Sequence, residues 1–278
     1  MKISTIIPAY NEEKVILNCL KSLDDQSAKN FEVIVVDDGS SDSTLSLLGA
    51  FKTQKHEYKF LNTDHKGPAL ARNLGAKNSK GQILVFVDSD MTFSKDFIKN
   101  LVAPIISHKS KGTFSKDEFV ANWHNVWARC WNYNQNLSGN KRHTDDYPDT
   151  QKVFRAILKS EFDGVGGFNK GGYTDDYTLS EKLGYKAEEA SDAIFYHNNP
   201  ENLVEVFHQA KWTAKREYRF GIFGIIVNLV RLTMFYLPTA VWKTAKFKSP
   251  AFAIFKLVYN LGSIVGILEY KIKGLGIK

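Results

Sequence analysis

The chain has 278 residues, 43% of them apolar and 24% charged, enough for one large domain, or a domain with a small appendage, around a proper core. That balance excludes disordered, collagen-like and coiled-coil chains. The formal charge of +7 is unevenly spread: residues 1–210 carry 25 Lys+Arg against 28 Asp+Glu, a net of −3, whereas residues 211–278 carry 12 against two, a net of +10.

In chain order, residues 3–9 (Ile-Ser-Thr-Ile-Ile-Pro-Ala) read as a first strand and residues 12–24 as a helix, with apolar positions at Val15, Ile16, Cys19, Leu20 and Leu23. Residues 31–37 form a near-continuous apolar run, the pattern of a strand covered on both faces. Gly39 to Ser43 supplies a turn and N-cap for a helix over 43–51. A weaker strand at 58–61, a helix at 67–78 and a strong strand at 83–87 follow, and this short alternation predicts a parallel, doubly wound α/β sheet. Beyond Asp90 the alternation lapses. Helices are expected at 94–107 and 116–137, a polar loop at 139–150, a strand at 152–158, a glycine-rich loop over 163–173, a short helix ending at Gly184, a strand ending at Tyr196 and a helix near 200–219. Trp123, Trp127 and Trp131 recur at i, i+4, i+8, which predicts a face packed into a core. Cys19 and Cys130 make neither a disulfide framework nor a metal-ligand spacing. With no secretory-signal pattern after Met1, we expect a cytosol-facing protein.

Three acidic clusters carry the chemistry. Asp37-Asp38 ends a buried strand where a Gly-Ser turn begins. Ligands of open α/β sheets bind at carboxyl ends of strands, so this carboxylate is placed for a nucleobase or ribose, or else is a loop aspartate satisfied by turn amides. Asp88-Ser89-Asp90 closes the strand 83–87. Two carboxylates on alternate residues can share a hard divalent cation that neutralises a leaving diphosphate; the bland alternative is a solvated acidic turn. In Thr174-Asp175-Asp176, one residue is explained as a helix N-cap, and a second aspartate is a candidate general base.

In their order and context these segments resemble the inverting family 2 glycosyltransferases, whose fold is GT-A: a central, mostly parallel sheet flanked by helices. Ile6-Ile7-Pro8-Ala9-Tyr10-Asn11-Glu12 is similar to the family's first strand and turn, and Val35-Val36-Asp37-Asp38-Gly39-Ser40-Ser41-Asp42 to its base-binding segment. Gly67-Pro68-Ala69-Leu70-Ala71-Arg72-Asn73, Asp88-Ser89-Asp90, Gly166-Gly167-Phe168 and Thr174-Asp175-Asp176 complete the resemblance over about residues 3–215. It implies that Pro8, Ala9, Tyr10, Glu12, Asp38, Arg72, Asp88 and Ser89 bind a nucleotide-sugar donor. It further implies that Asp88, Asp90 and His197 hold Mn²⁺ or Mg²⁺, and that Gly166, Gly167, Phe168 and Asp175 lie on the acceptor side. Asp176 would take the acceptor hydroxyl's proton in a single displacement at the anomeric carbon. Asp175 stands where the family usually has Glu. Gln209-Ala210-Lys211-Trp212 departs from the Gln-x-x-Arg-Trp motif of processive members, so transfer of one sugar is expected.

The division expected is a GT-A catalytic domain over 1–215 and a membrane-associated helical region over 216–278. Residues 222–237 and 251–268 are apolar but fall short of the ~20 residues of a span and are interrupted by Asn228, Arg231, Lys256 and Asn260. The spacing of these polar residues gives each helix a polar stripe, and the basic clusters at 211–219, 243–248 and 271–273 favour amphipathic helices lying on the cytoplasmic face of a membrane over spans. The interleaved apolar runs argue against nucleic acid as a partner. The reading is thus a metal-dependent enzyme that moves a sugar from a UDP- or GDP-sugar to a hydroxyl of a lipid-linked or membrane-proximal glycan. The alternatives are a polyprenyl-phosphate glycosyl synthase and a non-catalytic GT-A module that recruits partners to membranes.

Overall fold

A computed structural model of the chain describes residues 1–273 except 54, 145, 170–175 and 217. The chain resolves into two units, one of Met1–Phe119 with Asp145–His197 and one of Val120–Thr144 with Asn198–Lys278. Packing therefore groups residues 120–144 and 198–215 with the C-terminal helices, a different partition from a cut at residue 215.

The first unit is built on an eight-stranded sheet of order β3-β2-β1-β4-β9-β6-β10-β8. Its strands are β1 (Ile3–Ala9), β2 (Phe31–Asp37), β3 (Glu57–Asn62), β4 (Ile83–Phe86), β6 (Gly112–Phe114), β8 (Thr150–Gln151), β9 (Ala156–Leu158) and β10 (Ala187–Glu189). The strands β3, β2, β1 and β4 pair in parallel, as do β6 and β10, whereas β9 runs against both β4 and β6 and β8 runs against β10. The sheet is mixed but mostly parallel, as expected. A second sheet has order β5-β11-β7, from β5 (Met91–Phe93), β7 (Glu118–Val120) and β11 (Phe195–His197).

Every residue of β2 is buried and β1 nearly so, which is the double coverage that their unbroken apolar runs demand. The helices α1 (Ile16–Asp24), α2 (Thr44–Ala50), α3 (Pro68–Lys77), α4 (Phe97–Ile106), α6 (Lys159–Gly164) and α7 (Tyr177–Leu183) complete the unit. Helix α3 starts with Pro at its first position. It lies so close to β1 that a Cβ on Gly75 would come 2.5 Å from Ile6 Cγ2.

The expected helix over 116–137 divides. Residues 118–120 form β7, and α5 (Val126–Asn134) begins only where the Asn125 side chain accepts from the amides of Trp127 and Ala128 at 2.8 and 3.2 Å. Trp123 therefore precedes the helix, while Trp131 is buried edge-on against Phe255 and Tyr259, as core packing predicts. The predicted strand 152–158 is reduced to β9 with the two-residue β8 before it.

The second unit contains α5, α8 (Leu203–Thr213), α9 (Gly221–Met234), α10 (Tyr236–Phe247) and α11 (Ala251–Lys273). The expected apolar segment 222–237 is broken: α9 and α10 meet at 59°. Pro238 explains the break, since it has no N–H for the carbonyl of residue 234 and its ring clashes there. Helix α11 exceeds the predicted 251–268, and by length and composition it could cross a membrane; so could the bent α9–α10 pair taken as one span.

Candidate active site

The chain runs outward from β1 through β2 to β3 and then returns to place β4 on the other side of β1. Such a reversal opens a crevice at the carboxyl ends of the strands, and the predicted residues gather there. The turn after β1 is pinned to the turn after β2. Asn11, in the left-handed conformation at φ 56°, accepts the Ser41 amide through Oδ1 at 2.8 Å, and its own amide donates to Ser40 Oγ at 2.9 Å. The Glu12 amide donates to Thr44 Oγ1 at 2.8 Å. Ala9 and Ser89 are buried, while Pro8, Tyr10 and Glu12 are partly exposed.

Asp38 is buried, and its carboxylate accepts the amides of Lys66 and Gly67 at 2.9 and 2.8 Å. The amides that satisfy it come from the start of α3 and not from the turn that follows it, so Asp38 ties the mouth of β2 to the helix that carries Arg72. A base reaching Asp38 must share those oxygens. Beside it, His65 Nδ1 lies 3.2 Å from Asp38 Oδ2, and the Tyr10 and His65 rings stack at 3.9 Å. Gly39, Asn62, Thr63, Asp64 and His65 line a pocket next to this stack.

Arg72 is the hub of the charged network. Its side chain is only 7% exposed; one terminal nitrogen donates to Asp88 Oδ1 at 2.8 Å and the other to Asp176 Oδ1 at 2.7 Å. Arg155 donates to the second oxygen of Asp88 at 3.2 Å. Burial works against a charge on Asp88, but Arg155 and Arg72 outweigh it and hold the carboxyl well below the usual carboxylate range. Burial likewise opposes the charge of Arg155, and Asp88, Asp176 and Glu118 more than restore it.

Asp90 faces elsewhere. Its Oδ2 lies 2.8 Å from His197 Nε2, and His197 Nδ1 lies 3.1 Å from Glu118 Oε1. The expected shell of Asp88, Asp90 and His197 is thus narrowed: Asp90 and His197 meet, but Asp88 is engaged by two guanidinium groups. Among the described residues no three Asp, Glu, His or Cys side chains are grouped to hold a metal ion. Of this pair, the Asp90 carboxylate is the ligand type that Mn²⁺ and Mg²⁺ prefer, and both ions keep other positions for phosphate and water.

The glycine loop is held by the residue after Arg72. Asn73 accepts the Phe168 amide at 2.9 Å and donates to the Phe168 carbonyl at 2.8 Å. Gly166 and Gly167 both have positive φ, and a Cβ on Gly167 would lie 2.5 Å from Asn73 Oδ1. The Phe168 ring faces the interior. It is buried against Phe86 and Phe162, with the Arg72 guanidinium 5.8 Å from its centre. Asp175 and Thr174 lie outside the described residues; Asp176 is described and partly exposed. In the other unit, Lys211 of the Gln209–Trp212 segment is paired with Glu269 at 2.5 Å.

Three site residues escaped the sequence reading. Arg155 sits in the apolar run that becomes β9, where a basic residue between Phe154 and Ala156 was the available signal. Glu118 was hidden by the helix expected over 116–137. His65 lies in a polar turn with no pattern of its own.

A family model described as Glycosyl transferase family 2 matches residues 4–162. The glycosyltransferase GlyA of Streptococcus pneumoniae serotype 4 is 28% identical over 206 residues, 66% of this chain and 29% of its own length. The poly(ribitol-phosphate) beta-N-acetylglucosaminyltransferase TarS of Staphylococcus aureus is 39% identical over 113 residues, 40% of this chain and 20% of its own. The chain thus spans less than a third of the length of these curated relatives. Among solved structures, S. aureus TarS 1-349 in complex with UDP-GlcNAc superposes with a TM-score of 0.57 at 19% identity, covering 98% of this chain and 92% of that one. The mannosyltransferase PcManGT of Pyrobaculum calidifontis, in complex with GDP-Man and Mn²⁺, gives 0.59 at 19% identity over 99% and 87%. These likenesses establish the GT-A fold. The family match runs from β1 into α6, over more than half of the chain, and on that ground the chain belongs to glycosyl transferase family 2.

Proposed function

We propose that this chain transfers one sugar from a UDP- or GDP-sugar to a hydroxyl acceptor by a single, inverting displacement. The observation that carries the reading is the Asp88–Arg72–Asp176 relay at the crevice. In it one guanidinium joins the strand-end carboxylate of the donor side to the candidate base. The pocket beside the Tyr10–His65 stack is the seat for the nucleobase. The buried Asp37 Oδ1, which has no partner among the described residues, is a spare acceptor at the same strand end. The two structural neighbours bound to UDP-GlcNAc and to GDP-Man support this donor class.

Asp176 takes the proton of the acceptor hydroxyl as its oxygen attacks the anomeric carbon, and the bond from that carbon to the diphosphate breaks with its electron pair leaving on the diphosphate. Arg72 and Arg155 face the charge that develops there. Asp90 and His197 would hold a divalent cation, whose chemistry when bound is to neutralise the leaving diphosphate. Arg72 also couples the two sides of the crevice: it pairs with Asp176 and with Asp88, and an arriving diphosphate competes for the same guanidinium. A hydroxyl of a lipid-linked or membrane-proximal glycan is the acceptor class, because an ionised polyprenyl phosphate needs no base.

The test is Asp176→Asn with saturating donor. Transfer should collapse while nucleotide binding, read as a thermal shift with and without Mn²⁺, persists; a ligand at a hundred times its Kd adds about 2.7 kcal/mol. Full transfer by the variant would overturn the hydroxyl-acceptor mechanism, and binding without any donor turnover in the parent chain would favour a recruiting module.

A further inference from the structure

Most of the exposed large apolar side chains among the described residues lie after Arg219. On α9, Phe223, Val230 and Met234 are 65%, 41% and 72% exposed, and on α10, Leu237, Val241 and Trp242 are 66%, 67% and 53% exposed. Leu257, Leu261 and Leu268 of α11 fall on one stripe and are about half exposed. Several polar residues of these helices turn inward. Asn260 is buried and donates to the Leu232 carbonyl at 2.7 Å, Lys256 donates to Asn134 Oδ1 at 2.9 Å, and Lys243 is buried on the carbonyls of Tyr133 and Asn134 at 3.0 and 2.6 Å. Glu269 is neutralised by Lys211 and Lys215 at 2.5 and 2.7 Å.

We propose that the outward faces of α9, α10 and α11 form a docking surface for an anionic lipid bilayer, lying in its interface rather than crossing it. Apolar side chains turned out and polar groups turned in, most of them hydrogen-bonded though Asn260 Oδ1 has no partner among the described residues, is the solvation pattern of a surface that meets hydrocarbon. The charges that remain exposed choose the lipid. Arg216, Arg219, Arg231, Lys246, Lys248 and Lys271 are exposed on this segment, and among the described residues its acidic side chain, Glu269, is already paired. The Lys246 ammonium lies 4.9 Å from the centre of the Trp242 ring, and the Arg219 guanidinium lies 5.0 Å from that of Phe220. These cation–aromatic pairs place a positive head beside an apolar body at the depth of lipid headgroups. Helix α11 packs along α8, which carries Glu205, Gln209 and Lys211. Lipid can therefore reach one face of α11 but cannot surround it, which is why length alone does not make it a span.

The test is co-sedimentation of the 278-residue chain with vesicles of phosphatidylcholine, or of equal parts phosphatidylcholine and phosphatidylglycerol. The parent chain should bind the anionic vesicles and be released by salt. Leu237→Glu with Val241→Glu should lower binding more than tenfold, and Lys246→Gln should lower it about fivefold on anionic vesicles alone. Thermal shift with UDP or GDP checks that each variant is folded and is independent of this proposal. Quenching of Trp242, isolated by difference against Trp242→Phe, should be stronger with lipid brominated near the headgroup than at the chain end. Failure of the parent chain to bind, unchanged binding of the glutamate variant, or stronger deep quenching would each overturn the proposal. So would a lipid-free dimer abolished by the same glutamates, which would give the face to a second copy of the chain.

Discussion

In the sheet unit, Asp88, Arg155, Asp176 and Asp90 gather at one end of a sheet, within reach of water, and the interior around β1 and β2 is apolar. In the helical unit the order is reversed: Lys243, Lys256 and Asn260 lie inside on backbone and side-chain acceptors, and Phe223, Met234 and Trp242 lie outside. Both units hold charged groups partly away from water: the first pairs its carboxylates with arginines, whereas the second, apart from Glu269 with Lys211 and Lys215, seats Lys243 and Lys256 on neutral acceptors. Arginine against carboxylate in a crevice is an arrangement that a charged substrate can rearrange. Ammonium against carbonyl gives a charge nothing to exchange with, and it is the packing of a scaffold. Function in the first unit is thus read from its charges, and in the second from its exposed apolar side chains.

The largest expected effect tests the first half of that contrast. Asp176→Asn should reduce transfer by about two to four orders of magnitude, the range of a lost general base, with nucleotide binding unchanged in a thermal-shift titration. Next comes Arg72→Gln. It leaves Asp88 and Asp176 without their shared cation, and we expect a stability loss of about 2 kcal/mol in denaturant unfolding, below the value of a fully buried pair because water reaches both carboxylates. Arg72→Lys should recover little, since one ammonium cannot reproduce the two-pronged bridge. A neutral Arg72→Gln would mean that the network is incidental.

The Asp88 network also fixes an acid response. A carboxyl whose pKa is lower folded than unfolded adds stability above its unfolded value, near 4, and that stability is lost as pH falls toward the folded value. Melting temperature should therefore drop below about pH 4, and the drop should be smaller in Asp88→Asn. An identical acid profile for that variant would assign acid sensitivity to other carboxylates.

The strands β1, β2 and β4 and the carboxylates at their ends were legible because a doubly covered strand needs an unbroken apolar run, and a binding residue must follow where that run stops. Gly67-Pro68 likewise announced α3 and placed Arg72 one turn into it. Arg72 and Asp176 are 104 positions apart, and no local pattern could report that they touch. Glu118 was lost because residues 116–137 carry enough apolar periodicity for one helix, and only the Asn125 cap shows that the helix starts late. The polar stripe of α11 was legible as a spacing and not as a direction. Periodicity says that Lys256, Asn260 and Ser263 share a face; whether the face meets water or protein depends on the partner helix.

Lys256 supplies the smallest effect and the sharpest test of the second half of the contrast. Burial, with Lys243 and Arg231 nearby, pushes its pKa down to about 8, and burial does the same to Lys243. An unfolded lysine titrates near 10.4, so the folded state holds its proton more weakly and the charged ammonium is a net cost. The cost is complete below pH 8 and shrinks as pH rises toward 10, so stability should rise across that window. Lys256→Met keeps the stem and removes the charge. It should stabilise the chain at neutral pH by about 1 kcal/mol, discounted for the partial exposure of the site, and flatten the rise above pH 8 in thermal unfolding followed by circular dichroism. A destabilised variant would show that the Asn134 contact outweighs burial, making the lysine a tie between α11 and α5. A variant that is stabilised yet loses vesicle binding would show instead that the ammonium reaches lipid phosphate, and the boundary drawn between inward charge and outward apolar surface would have to move.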